Sequence, residues 1–75
     1  MKSVKIRLST IADVRDFVNI LAKTEIDIDL CSGRYVVDGK SIMGIFSLDL
    51  LNPIQLTAHD EDPALFEKLK PFIVE

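Results

Sequence analysis

Cysteine and histidine each occur once, as Cys31 and His59, in a chain of 75 residues. A lone cysteine excludes an internal disulfide, and with no CxxC pair or Cys/His cluster there is no zinc-binding pattern. The single histidine also leaves the serine and threonine hydroxyls without an evident base, so nothing supports nucleophilic or metal-dependent catalysis. Basic runs are missing too. The 9 Lys/Arg are scattered and the formal net charge is −3, which gives a nucleic-acid surface little support. No apolar stretch approaches membrane-spanning length, and Lys2, Lys5 and Arg7 interrupt any signal-peptide core. Repeats, low-complexity tracts and linkers are likewise absent. The expectation is a cytoplasmic, non-enzymatic protein with no cofactor and no membrane partner.

What is present is the composition of a folded domain: 48% hydrophobic and 28% charged residues, too apolar for disorder. The chain is long enough for one domain, residues 1–75, and a domain of this size buries only about 60% of the surface its unfolded form exposes. Val4, Ile6 and Leu8 alternate with Lys5 and Arg7, the period of a half-buried strand. Thr10 at an N-cap with Asp13 three places on resembles a capping box, opening a helix to about Lys23 whose apolar face is Ile11, Val14, Phe17, Val18 and Leu21. Ile26, Ile28 and Leu30 predict a second strand, Cys31-Ser32-Gly33 a turn, and Arg34-Tyr35-Val36-Val37 the return of a hairpin. Ile54, Leu56 and Ala58 predict a fourth strand. Asp62-Pro63 starts a last helix with Leu65, Phe66 and Leu69 on its apolar face, ended or bent by Pro71.

Between the hairpin and the fourth strand lies the stretch from Asp38 to Leu48, around which the rest is organised. Ser41 is placed to cap a short helix. Ile42, Ile45 and Leu48 make one apolar stripe, and Met43 and Phe46 make another, a surplus that points to a partner unless the helix lies in a groove. Gly44 inside this helix costs about 1 kcal/mol relative to Ala, so a close approach by a neighbouring backbone is expected there. The order β-α-β-β-α-β-α, with every strand alternating, predicts an α+β open-faced two-layer sandwich with the helices on one face.

Three other features invite a chemical reading. Gly33 to Ser41 nearly spells a phosphate-binding P-loop, but five residues separate the glycines where the motif requires four. Its interior also reads as a strand rather than a bare turn. His59 lies beside Asp60, Glu61 and Asp62, a setting shared by solvated loops and weak metal sites, and the solvated loop is the simpler reading. Cys31 reads as a small packed residue at a strand end. Ser41 is the most interesting single residue, because a phosphoryl group there would sit at the positive end of a helix beside Lys40. A plain cap accounts for the serine equally.

The run Lys40-Ser41-Ile42-Met43-Gly44-Ile45-Phe46-Ser47-Leu48 resembles the segment around the regulatory serine of HPr. HPr is the small histidine-containing phosphocarrier of the bacterial sugar phosphotransferase system, and its family shows Lys-Ser-Ile-Met-Gly-Val-Met-Ser-Leu there. The resemblance covers the whole chain and implies a four-stranded antiparallel sheet of order 1-4-2-3. It breaks at the start of the first helix. The family's phosphorylated histidine, in a His-Ala-Arg-Pro motif, falls on Thr10, followed here by Ile11, Ala12 and Asp13. The resemblance therefore implies no phosphocarrier catalysis at Thr10, a regulatory phosphorylation at Ser41, and protein binding through Lys40, Ile42, Met43 and Phe46. Partners implied are proteins: HPr kinase, phosphotransferase-system enzymes or a transcription regulator, with the chain a monomer or weak dimer. Two alternatives remain at this stage. One is residual phosphocarrier activity through His59; the other is a ferredoxin-like small-molecule-binding or dimerisation domain, whose strand order would be 4-1-3-2.

Overall fold

Strand alternation sets up the whole architecture in the computed structural model, which describes residues 2–74. The elements run β1 (Lys2–Ile6), α1 (Ile11–Leu21), β2 (Ile28–Ser32), β3 (Tyr35–Asp38), α2 (Ile42–Phe46), β4 (Ile54–Ala58) and α3 (Pro63–Leu69), followed by a 3-10 turn over Lys70–Phe72. The four strands form one antiparallel sheet in the order β1-β4-β2-β3. That order removes the ferredoxin-like alternative.

Period-2 alternation turns Ile6, Ile28, Leu30, Ile54, Leu56 and Ala58 to one face, where all are buried. Helical periodicity brings Val14, Phe17 and Leu21 from α1, Ile45 from α2, and Leu65, Phe66 and Leu69 from α3 into the same core. The opposite face carries Lys5, Gln55, Thr57 and Asp29 and stays wet, as the half-polar strands require. Ser3 and Thr57, directly paired across β1 and β4, place their hydroxyls 3.1 Å apart on that face.

Several boundaries differ from the sequence expectation, each for a local reason. Cys31 and Ser32 belong to β2, and the turn is Gly33-Arg34. Gly33 has φ 60, the left-handed geometry a two-residue hairpin turn needs at its first position, and glycine adopts it without a Cβ penalty. Cys31 is therefore paired with Val36 inside the ladder and is half-buried. Ile11, expected on the apolar face of α1, is 74% exposed. It is the first helical residue, and the buried stripe begins one turn later at Val14. Helix α1 ends at Leu21, with Thr24 N–H donating to the Leu21 carbonyl in the following turn.

After α3, Pro71 diverts the chain into the 3-10 turn as expected, and the segment then lies along β1. Arg7 N–H donates to the Phe72 carbonyl at 2.8 Å, Val74 N–H donates to the Lys5 carbonyl at 2.9 Å, and Ile73 bridges Ile6. The Phe72 ring meets Phe17 edge-on, 5.9 Å between centroids at 84°. Such a pair contributes about 0.5–1.5 kcal/mol beyond its burial.

Candidate functional site

Two helix starts hold the residues singled out in the sequence. At α1, Thr10 is extended, with φ −131 and ψ 165, and its hydroxyl accepts from Asp13 N–H at 3.0 Å. The Asp13 carboxylate reaches back and accepts from Thr10 N–H at 3.2 Å and Ser9 N–H at 2.9 Å. The capping box is complete. An anion is thus already present at the positive end of α1, where it takes the Ser9 and Thr10 amides. Thr10 serves as a cap.

At α2 the arrangement is barer. The Ser41 hydroxyl accepts from Gly44 N–H at 3.2 Å, and no acidic residue lies in the first turn. Ser41 itself is exposed. The turn before it is tight: the Asp38 carboxylate accepts from Lys40 N–H at 2.9 Å, and Ser41 N–H donates to the Asp38 carbonyl at 3.0 Å. Gly39 is required by packing here, because a Cβ would come within 2.9 Å of both Ile28 Cγ2 and Leu21 Cδ1. Lys40, expected beside the serine, turns its ammonium away to the Thr24 carbonyl at 2.7 Å. There it supplies positive charge beyond the C-terminal end of α1, whose own last turn has no basic residue.

The five residues of α2 divide sharply by burial. Ile45 is fully buried and Leu48, just past the helix, is 6% exposed, whereas Met43 is 79% and Phe46 42% exposed. Ile42 was grouped with the buried stripe but is 39% exposed and joins Met43 and Phe46 on the outer side. The reason parallels that at Ile11: a first-turn residue overhangs the core. Gly44 is explained by a side chain rather than a backbone, since an added Cβ would lie 3.1 Å from Val37 Cβ and 3.2 Å from the Ser41 hydroxyl. Helix α2 therefore sits down on β3 at Gly44 and presents its apolar ridge outward.

His59 lies elsewhere. Its Nε2 is 2.6 Å from the Asp29 carboxylate, on the wet side of the sheet, and its N–H donates to the Asp27 carbonyl at 3.0 Å. The sheet separates it from α2. Among the described residues no cluster of three His, Cys, Asp or Glu side chains has the geometry of a metal site. The near-P-loop is occupied by β3, as its strand-like interior suggested.

No protein-family model matches the sequence, and no curated protein matches it. Solved structures do. The crystal structure of HPr-C-His from Thermoanaerobacter tengcongensis superposes with a TM-score of 0.79 at 26% identity, covering 95% of this chain and 89% of that one. The phosphocarrier protein HPr from Bacillus anthracis str. Ames superposes with a TM-score of 0.64 at 27% identity, covering 93% of this chain and 87% of that one. The chain has the HPr fold. The likeness spans nearly all of each chain, so the HPr-like architecture is whole, including the sheet order and the three helices. Within the HPr-like frame, Thr10 heads α1 and Ser41 heads α2 as the sequence placed them. Two features escaped the sequence reading. Gly39 gave no signal beyond its turn-forming neighbours, and Leu51, which is 87% exposed, lay outside any periodic pattern.

Proposed function

We propose that this HPr-like chain is a non-catalytic regulatory module that binds proteins through α2 and is controlled by phosphorylation at Ser41. The observation that carries this reading is the outward ridge of Ile42, Met43 and Phe46 on a short helix headed by an exposed serine. Apolar groups grouped on one side of a five-residue helix cost solvation in the free protein, and a docking partner removes that cost. Lys40, grouped with this ridge by the sequence, is held against the Thr24 carbonyl and lies outside it. A phosphoryl group on Ser41 adds close to two negative charges beside the ridge and changes its affinity for any partner.

Phosphoryl transfer through α1 has no support in the residues present. Threonine stands at the head of the helix, and the Asp13 carboxylate already takes the Ser9 and Thr10 amides. A carrier must accept an anion there, and a carboxylate in the same place repels one.

The test has two arms. HPr kinase with ATP is expected to phosphorylate the wild-type chain and not Ser41→Ala, read by intact-mass spectrometry. Titration of purified phosphotransferase-system enzymes and HPr kinase is then compared for wild type and Met43→Asp. Loss of binding by about tenfold or more supports the ridge, the size expected when a central apolar anchor is removed. Unchanged binding by Met43→Asp, or phosphate incorporated into Ser41→Ala, removes the corresponding half of the proposal.

A further inference from the structure

The two outer strands of the sheet are finished differently. The 72–74 segment covers the Lys5–Ile6 end of β1's outer side, whereas β3 ends the sheet with no strand beyond it among the described residues. Gly39 N–H donates to the Ile28 carbonyl at 2.8 Å, and the register pairs Leu30 with Val37 and Ser32 with Tyr35. Backbone groups of Tyr35, Val37 and Gly39 therefore face β2. By alternation the N–H and C=O of Val36 and the N–H of Asp38 face outward. The Asp38 carbonyl is taken by Ser41 N–H. Along this open side Tyr35 is 70% and Val36 62% exposed, and the strand holds no proline or lysine to blunt it.

The edge is complementary to itself. Laid antiparallel against a second copy about a two-fold axis at Val36, the run Arg34-Tyr35-Val36-Val37-Asp38 sets Val36 against Val36, Tyr35 against Val37 and Arg34 against Asp38. The outward-facing groups then fall on the hydrogen-bonded pairs of the new ladder, and Arg34, Val36 and Asp38 share one face. Charges of opposite sign meet at both ends. Neither Arg34 nor Asp38 has an ion-pair partner among the described residues. A register slipped by one residue would separate these charges and misdirect the donors.

We propose that β3 pairs with β3 of a second copy of this chain, joining the two sheets into one across a two-fold axis. The contact strand is four residues long, well short of the about 1,200–2,000 Å² that stable interfaces bury, so the association is weak and appears at high protein concentration. This surface is distinct from the α2 ridge and stands or falls separately.

Sedimentation of the full chain from micromolar to millimolar concentration is the test. A concentration-dependent dimer is expected, with its dissociation constant raised about tenfold or more in Val36→Lys, which places two like charges on the axis. Arg34→Glu and Asp38→Lys should each fail to self-associate yet restore a heterodimer when mixed. Should Asp38→Lys disturb the turn before α2, Val36→Cys in a Cys31→Ser background supplies an independent reading. Hydrogen-bonded cross-strand residues lie about 5.5 Å apart, within disulfide range, so mild oxidation should link the two copies. Absence of any dimer at millimolar chain overturns the proposal. So does a dimer that survives Val36→Lys and disappears in Met43→Asp, which would place the contact on α2.

Discussion

Helices α1 and α2 both begin with a hydroxyl that accepts from the third residue onward, yet they are fastened in different ways. At α1 the cap is reciprocal: Thr10 and Asp13 bond each other's backbone, and Val14, Phe17 and Leu21 sink three side chains into the core. At α2 the cap is one-sided, and Ile45 is the sole buried residue inside the helix. A helix with internal counter-charge and several anchors is a structural member. One with a bare cap and an exposed ridge keeps its surface available to something else.

That contrast can be broken most forcefully in the core. Phe17→Ala should cost about 4 kcal/mol and unfold or nearly unfold the domain, while Ile45→Ala should cost about 3 kcal/mol, both read by urea denaturation. If Ile45→Ala were neutral, α2 would be held by something other than its one anchor. Next in size, Gly39→Ala should cost about 1–3 kcal/mol by forcing a methyl against Ile28 and Leu21, and the loss should appear first as broadened resonances of α2. Thr10→Ala should cost about 1–2 kcal/mol because both halves of a reciprocal cap are disturbed. Ser41→Ala should cost about 0.5–1 kcal/mol. Equal costs for the two caps would erase the distinction drawn between them. Smallest of all, incubation with phosphoenolpyruvate and the general phosphotransferase enzyme should leave no acid-labile phosphate on the chain. A phosphohistidine at His59 would instead make it a carrier by an unrelated route.

Much of this was legible in the residues because the relevant signals are local. The Thr10–Asp13 box, the Ser41 cap, the alternation of Ile54, Leu56 and Ala58, and Pro63 opening α3 each follow from a few neighbouring side chains, and each is where the sequence placed it. The Lys40–Leu48 likeness carried the rest, since sheet order depends on contacts far apart in the chain. What the sequence could not disclose was three-dimensional. Ile11 and Ile42 fit their apolar stripes by spacing but stand in first turns that overhang the core. Lys40 bonds a carbonyl 16 residues earlier in the chain, and no periodic pattern announces such a reach. The hairpin turn shifted by a residue because only Gly33 could take the left-handed position, which carried Cys31 and Ser32 into β2.

Phe72 belongs to two assemblies at once. Its carbonyl receives Arg7 N–H at the rim of β1, and its ring rests against Phe17. Because one residue joins them, peeling back the chain end uncovers a strand and loosens the interior in the same motion. Deuterium uptake at the Arg7 amide would then report how often the chain end lifts away, legible from a single peripheral proton.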